Sequence, residues 1–288
     1  MERARTQALR DFVEILVMRL EMDYDSIGSA VLILVIIFLG AVNPFLTVFN
    51  PVPPPVIYAP VMTVLLASDP IQRFFELNAV FDSFILSGCA ALALLFKNLS
   101  FGAVGDIRDG TMSTLLLMPG GRKAVFSSII VSSALLPYLV FSIPVLTAMA
   151  LSTNSPSPVD ALLIVGFNFL AVMGLTSVTL WTGVITRSPA RSFGYGMAYL
   201  VVSLLPVLLA LHNDSVQPLF VSALLTPSLS ASAYVLLFYP AVRLRFPAFS
   251  LTPDYLTPTL IVMLVAGLVF NTLIFYLLYY HWTRRASF

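Results

Sequence analysis

The sequence predicts an all-α polytopic membrane protein, and three observations carry that reading. Of 288 residues, 59% are apolar and 10% are charged, where an ordinary soluble domain carries about 25% charged residues. Six stretches meet the length of a bilayer crossing, about 20 mainly apolar residues for a hydrocarbon core of about 30 Å. Lys and Arg collect on alternate connections between those stretches. The same composition excludes other classes. Fifteen basic residues against 14 acidic ones leave a net charge of +1, so no basic field gathers nucleic acid. The single Cys89 and the distant pair His212 and His281 supply neither a disulfide framework nor a Cys/His zinc site.

Residues 1–25 read as a cytoplasmic, interfacial amphipathic helix ahead of a six-span domain, 26–288. Leu9, Phe12, Val13, Leu16 and Leu20 recur at helical spacing, while Arg10, Asp11, Glu14, Arg19 and Glu21 take other faces. The membrane interface and the protein's own cytoplasmic side are both covers for that apolar face. No cleavable signal peptide is expected, because about 25 residues of mixed charge precede the first apolar run.

The spans are placed near 27–49, 78–96, 124–151, 161–186, 193–211 and 259–280; only the second holds an ionisable side chain, Asp82. Twelve of the 15 basic residues fall on one side: Arg3, Arg5, Arg10, Arg19, Lys97, Arg108, Arg122, Lys123, Arg187, Arg191, Arg284 and Arg285. By the positive-inside rule this side, with both termini, is expected to be cytoplasmic, and the expected location is the plasma membrane, as a multi-pass protein. Two outer segments remain. The first, about 50–76, is proline-rich and favours extended pieces. The second, about 212–258, is read as a re-entrant or outer helical hairpin between spans five and six. A seventh span over 217–242 competes with it, since flipping the tail leaves the basic count unchanged.

The spans offer little chemistry. Asp82 and Asp160 reach the outer interface and His281 sits at an inner end, so intrinsic proton coupling is disfavoured. Cys89 among apolar neighbours reads as inert packing. Gly120-Gly121 lacks the spacing of a phosphate-binding loop, so the chain is not expected to be an enzyme or to hold a cofactor of its own. Energy for uphill transport then has to come from another subunit.

The informative stretch is the cytoplasmic loop of about 98–123, and within it 106–122. Asp109 is expected to cap a short helix through its side chain, with Asp106 and Asp109 complementing the helix dipole and Pro119-Gly120-Gly121 stopping it. Met112, Leu115, Leu116 and Met118 then form an apolar surface outside the bilayer, to be covered by a partner groove or by the protein's own span ends.

The pattern acidic-x-x-acidic-Gly-Thr-x-x-x-Leu-Leu-x-x-Pro-x-x-Arg, formed by Asp106, Asp109, Gly110, Thr111, Leu115, Leu116, Pro119 and Arg122, resembles the type-2 permease of ATP-binding-cassette (ABC) exporters. That family usually carries Glu where this chain has Asp106 and Asp109, and often Leu-Glu where it has Met112-Ser113. About 20 residues carry the likeness, while the expected topology matches along the whole chain. The resemblance implies that 106–122, Met112 included, is a coupling helix seated on a cytoplasmic ABC ATPase subunit that binds ATP and Mg. It further implies that a second copy, or a similar permease, pairs with this one in the membrane lipid around a pathway. A non-transporting membrane anchor or scaffold is the alternative, and an ion-coupled secondary transporter a more distant one.

Overall fold

A computed structural model of the chain describes residues 2–42, 86–118, 120–151, 158–212 and 256–285. Every regular element among them is helical. The segments 50–76 and 213–255, with the expected hairpin and its seventh-span alternative, lie outside the described residues, as do Asp82 and Pro119.

Helix α1 spans Glu2–Tyr24 and α2 spans Ile27–Ile37, continued by a π-helical turn at Phe38–Val42. Ser26 separates them in an extended conformation, and its hydroxyl accepts from Ser29 N at 3.2 Å, capping α2. The two helices meet at 87°. Helix α3 covers Leu86–Asp109 and contains a π-helical turn at Lys97–Ala103. It therefore runs on past the expected span end at Phe96. After the short α4, Thr111–Leu116, helix α5 runs as Gly121–Ile130, a π-helical turn at Val131–Leu135, and Leu136–Leu151. Helix α6 is Pro158–Thr186 and α7 is Pro189–His212. Arg187, at φ 50°, ends α6 in the left-handed region, and Pro189 opens α7 with its φ already fixed for a helix. Helix α8, Leu256–Tyr280, ends in a π-helical turn at His281–Arg285.

Four of these helices are long and apolar enough to cross a membrane: Leu86–Asp109, Gly121–Thr147, Asn168–Thr186 and Val265–Arg284. The bent pair α1 and α2 makes a fifth if it counts as one span. Outward faces carry Leu34 on α2, Val201 on α7 and Val269 on α8, all more than half exposed. Apolar faces of this kind are covered without cost only by an apolar solvent.

The helices alternate in direction. Trp282 Nε1 of α8 donates to the Arg122 carbonyl of α5 at 3.1 Å, so the end of α8 meets the start of α5. Phe126 packs there against Phe275, Tyr279 and Trp282, with ring centroids 5.5 to 5.7 Å apart. Val104 near the end of α3 lies against Gly183 near the end of α6, and Ser192 at the start of α7 donates to Thr179 O at 2.8 Å. Farther along, Gly174 of α6 meets both Tyr199 of α7 and Asn271 of α8. Hence α3, α6 and α8 run toward one end of the bundle while α5 and α7 run away from it. Helix α2 also runs away, since its Gly40 abuts Pro144 and Val145 well along α5. Glycines at these crossings let backbones approach: a Cβ on Gly196 would sit 2.6 Å from Phe96 Cε1. Exposed Arg108, Arg122, Lys123, Arg187, Arg191 and Arg284 all gather at the shared end, which is the basic end below.

Candidate functional site

The segment singled out by its sequence sits at the basic end, between α3 and α5. Helix α3 finishes at Asp109, and Gly110 turns the chain through the left-handed region, φ 82° and ψ −5°. Ser113 N then bonds the Gly110 carbonyl at 3.0 Å to start α4. Asp109 does not cap that helix: the cap position is Gly110, with no side-chain bond. The reason is that Asp106 and Asp109 belong to the last turn of α3. A carboxylate there faces the negative end of the helix dipole, and Asp109 answers with Arg108, at 2.7 and 3.2 Å.

The inner side of α4 is covered by the chain itself. Met112 is wholly buried and Leu115 nearly so, both within the main apolar core, while Leu116 and Met118 pack partly against it. Thr111, Ser113 and Thr114 are exposed, and Leu117 is 87% exposed. Sequence reasoning missed Leu117; six residues at helical spacing leave the inner and outer faces of so short a helix undecided. Arg122 pins the start of α5, its guanidinium donating to Thr283 O at 3.2 Å.

Beneath this segment lies a junction of four charges that sequence reasoning did not assemble. Arg19 and Asp23, one turn apart on α1, are both 2% exposed, with Nη2 and Oδ1 3.0 Å apart. The Arg19 guanidinium also pairs with Asp106 on α3. Ser132 and Ser133, in the π-helical turn of α5, donate to Asp23 Oδ2 at 2.7 and 3.3 Å. Lys97 of α3 donates to the Asp23 carbonyl at 2.9 Å and to the Ser29 hydroxyl at the start of α2. The Tyr24 hydroxyl donates to Ser132 O at 2.6 Å. Two cations and two carboxylates thus balance inside four helices.

Helix α1 is not one of the four membrane-length helices, and its junction face is Ile15, Arg19 and Asp23. The expected apolar face is split: Phe12, Leu16 and Leu20, which adjoin that junction, are half-buried, while Leu9 and Val13 are exposed, as is Val17 beyond them. Burial pushes the Asp23 carboxyl up, against the pull of Arg19 and the two serines. Burial likewise raises Tyr24, with Asp23 adding to it. Breaking a buried ion pair by removing one partner typically costs about 3–5 kcal/mol, whereas replacing the whole pair by apolar groups is often neutral. The junction therefore favours one register of α1 more than it adds stability.

Cys89 is exposed on α3 rather than packed inside, and His281 is half-buried in the last turn of the chain's final helix. Among the described residues no group of His, Cys, Asp and Glu could hold a metal ion. Comparison of the chain with protein-family models, curated proteins and solved structures returns no match.

Proposed function

We propose that the chain is the membrane-spanning permease subunit of an ABC exporter, with six crossings, both termini cytoplasmic and the plasma membrane as its location. One observation supports this most. Helix α4 is caught between two membrane-length helices with Met112 and Leu115 locked in the core and its outer side, through Leu117, left bare. A peg fixed stiffly to two spans and open on the other side can seat in a partner's groove and pass displacement into the bundle. In this reading the basic end faces the cytoplasm. A separate ATPase subunit seats α4 and supplies the ATP and Mg chemistry, and a second copy or similar permease completes the pathway. This chain contributes a shape that changes and no reacting group.

Leu117 is the residue to test. Its burial in a groove is worth about 1.5–3 kcal/mol, so Leu117→Asp should weaken capture of the ATPase at least about tenfold while the chain still inserts as a monodisperse protein. Co-purification with an ABC ATPase, and ATP turnover abolished by replacing that subunit's phosphate-loop lysine, are the expected results. A chain that never captures an ATPase is an anchor or scaffold instead. Transport that follows an ion gradient without ATP makes it a secondary transporter.

A further inference from the structure

Arg19 does more than hold α1 to the bundle. Its guanidinium joins Asp23 of its own helix to Asp106 in the last turn of α3, just before the Gly110 reversal that opens α4. The pair lies flush against α3 at Gly102, where a Cβ would come within 3.0 Å of Asp23 Oδ1 and 3.1 Å of Arg19 Nη2. Lys97 secures the other end, at the bend into α2. Displacing the base of α4 must then carry α1 along or break a desolvated ion pair. Apolar packing could slide by a fraction of a turn; a guanidinium held between two carboxylates cannot. On its far side α1 is bare, with Leu9 63% exposed and Val13 and Val17 beside it, so the contacts that hold it among the described residues lie on the junction side.

We propose that Arg19 and Asp23 are positioning residues for α4: through Asp106 they tie its displacement to α1 and to the bend between α1 and α2. The coupling role rests on the permease reading given above; the mechanical link between the two helices does not. Helix α1 is then a moving part of the device.

The test is a spin-label distance between Glu14→Cys on α1 and Ser113→Cys on α4, both exposed positions, in the full-length Cys89→Ser chain in lipid nanodiscs. The parent gives one narrow distribution. Arg19→Gln and Asp106→Asn each broaden it, the double variant broadens it no further than either single one, and Arg19→Lys keeps most of the narrow peak. Gly102→Ala, which preserves every charge and crowds the pair, broadens it as well and guards against a simple folding defect. With the ATPase bound, Arg19→Gln lowers cargo moved per ATP hydrolysed by about tenfold, within the usual range of coupling between sites. Unchanged distributions in the single variants, or broadening that adds in the double, overturn the proposal, because two residues acting as a unit do not add. If no ATPase binds, the permease reading fails, and the distances still decide the link between α1 and α4.

Discussion

At the scale of single residues, the charge state of Asp23 makes the sharpest prediction. Its carboxyl is raised by burial, with Arg19, Ser132 and Ser133 opposing. The folded chain therefore binds a proton there more readily than the unfolded chain, and stability from this group is full below the ordinary carboxylate pKa and lost as pH rises through the folded one. Asp23→Asn has no such dependence. The melting temperature of the parent minus that of Asp23→Asn should therefore increase as pH falls from neutral toward about 4, the ordinary carboxylate range. A difference that shrinks on acidification would mean that Arg19 outweighs burial and holds Asp23 ionised. Tyr24 sits beside this group with its hydroxyl on Ser132 O, and Tyr24→Phe removes that bond without adding a charge. It serves as the control that leaves the pH trend intact.

Among the elements, α4 separates two roles that its sequence runs together. Leu115 is buried in the chain's own core and Leu117 is not, so the two leucines should fail differently. Leu115→Ala should destabilise the chain by about 2–5 kcal/mol, seen as a lower melting temperature with no partner present. Leu117→Ala should change that by no more than about 0.5 kcal/mol and act only on partner capture. Equal losses in melting temperature would place Leu117 inside the fold and remove the docking face. The helices themselves were legible: each expected span coincides with a described helix over the residues described, because long apolar runs bounded by charge leave few other solutions. The extent of α3 was not. Lys97 and Asn98 look like the polar edge of a span, yet the helix continues, since Lys97 is satisfied by Asp23 and Ser29. The charged part of α1's buried face was illegible for the same reason. Arg19 reads as a solvent residue until Asp106, far off in sequence, neutralises it, and only the i,i+4 spacing of Arg19 and Asp23 hinted at a pair.

Over the whole molecule, the direction of the last two helices bears on the seventh-span alternative. Helix α7 leaves the basic end, where Ser192 meets Thr179, and passes Gly174 at Tyr199. Its 24 residues extend about 36 Å, enough to carry His212 to the opposite end. Helix α8 passes the same Gly174 at Asn271 and returns to the basic end, where Trp282 bonds the Arg122 carbonyl. His212 and Leu256 therefore both stand at the end of the described helices away from the basic residues, and on the six-span proposal the segment between them is expected to cross the membrane an even number of times. A single crossing over 217–242 would require α8 to run the other way and Trp282 to part from Arg122. In a Cys89→Ser background, an impermeant thiol reagent on intact cells should label Arg243→Cys and miss both Ser113→Cys and Arg284→Cys. Permeabilised cells should show all three. Labelling of the 284 variant with protection of the 243 variant would select the seventh span, and would force apart the contacts between α5 and α8 at Phe126 and Trp282 that close the basic end.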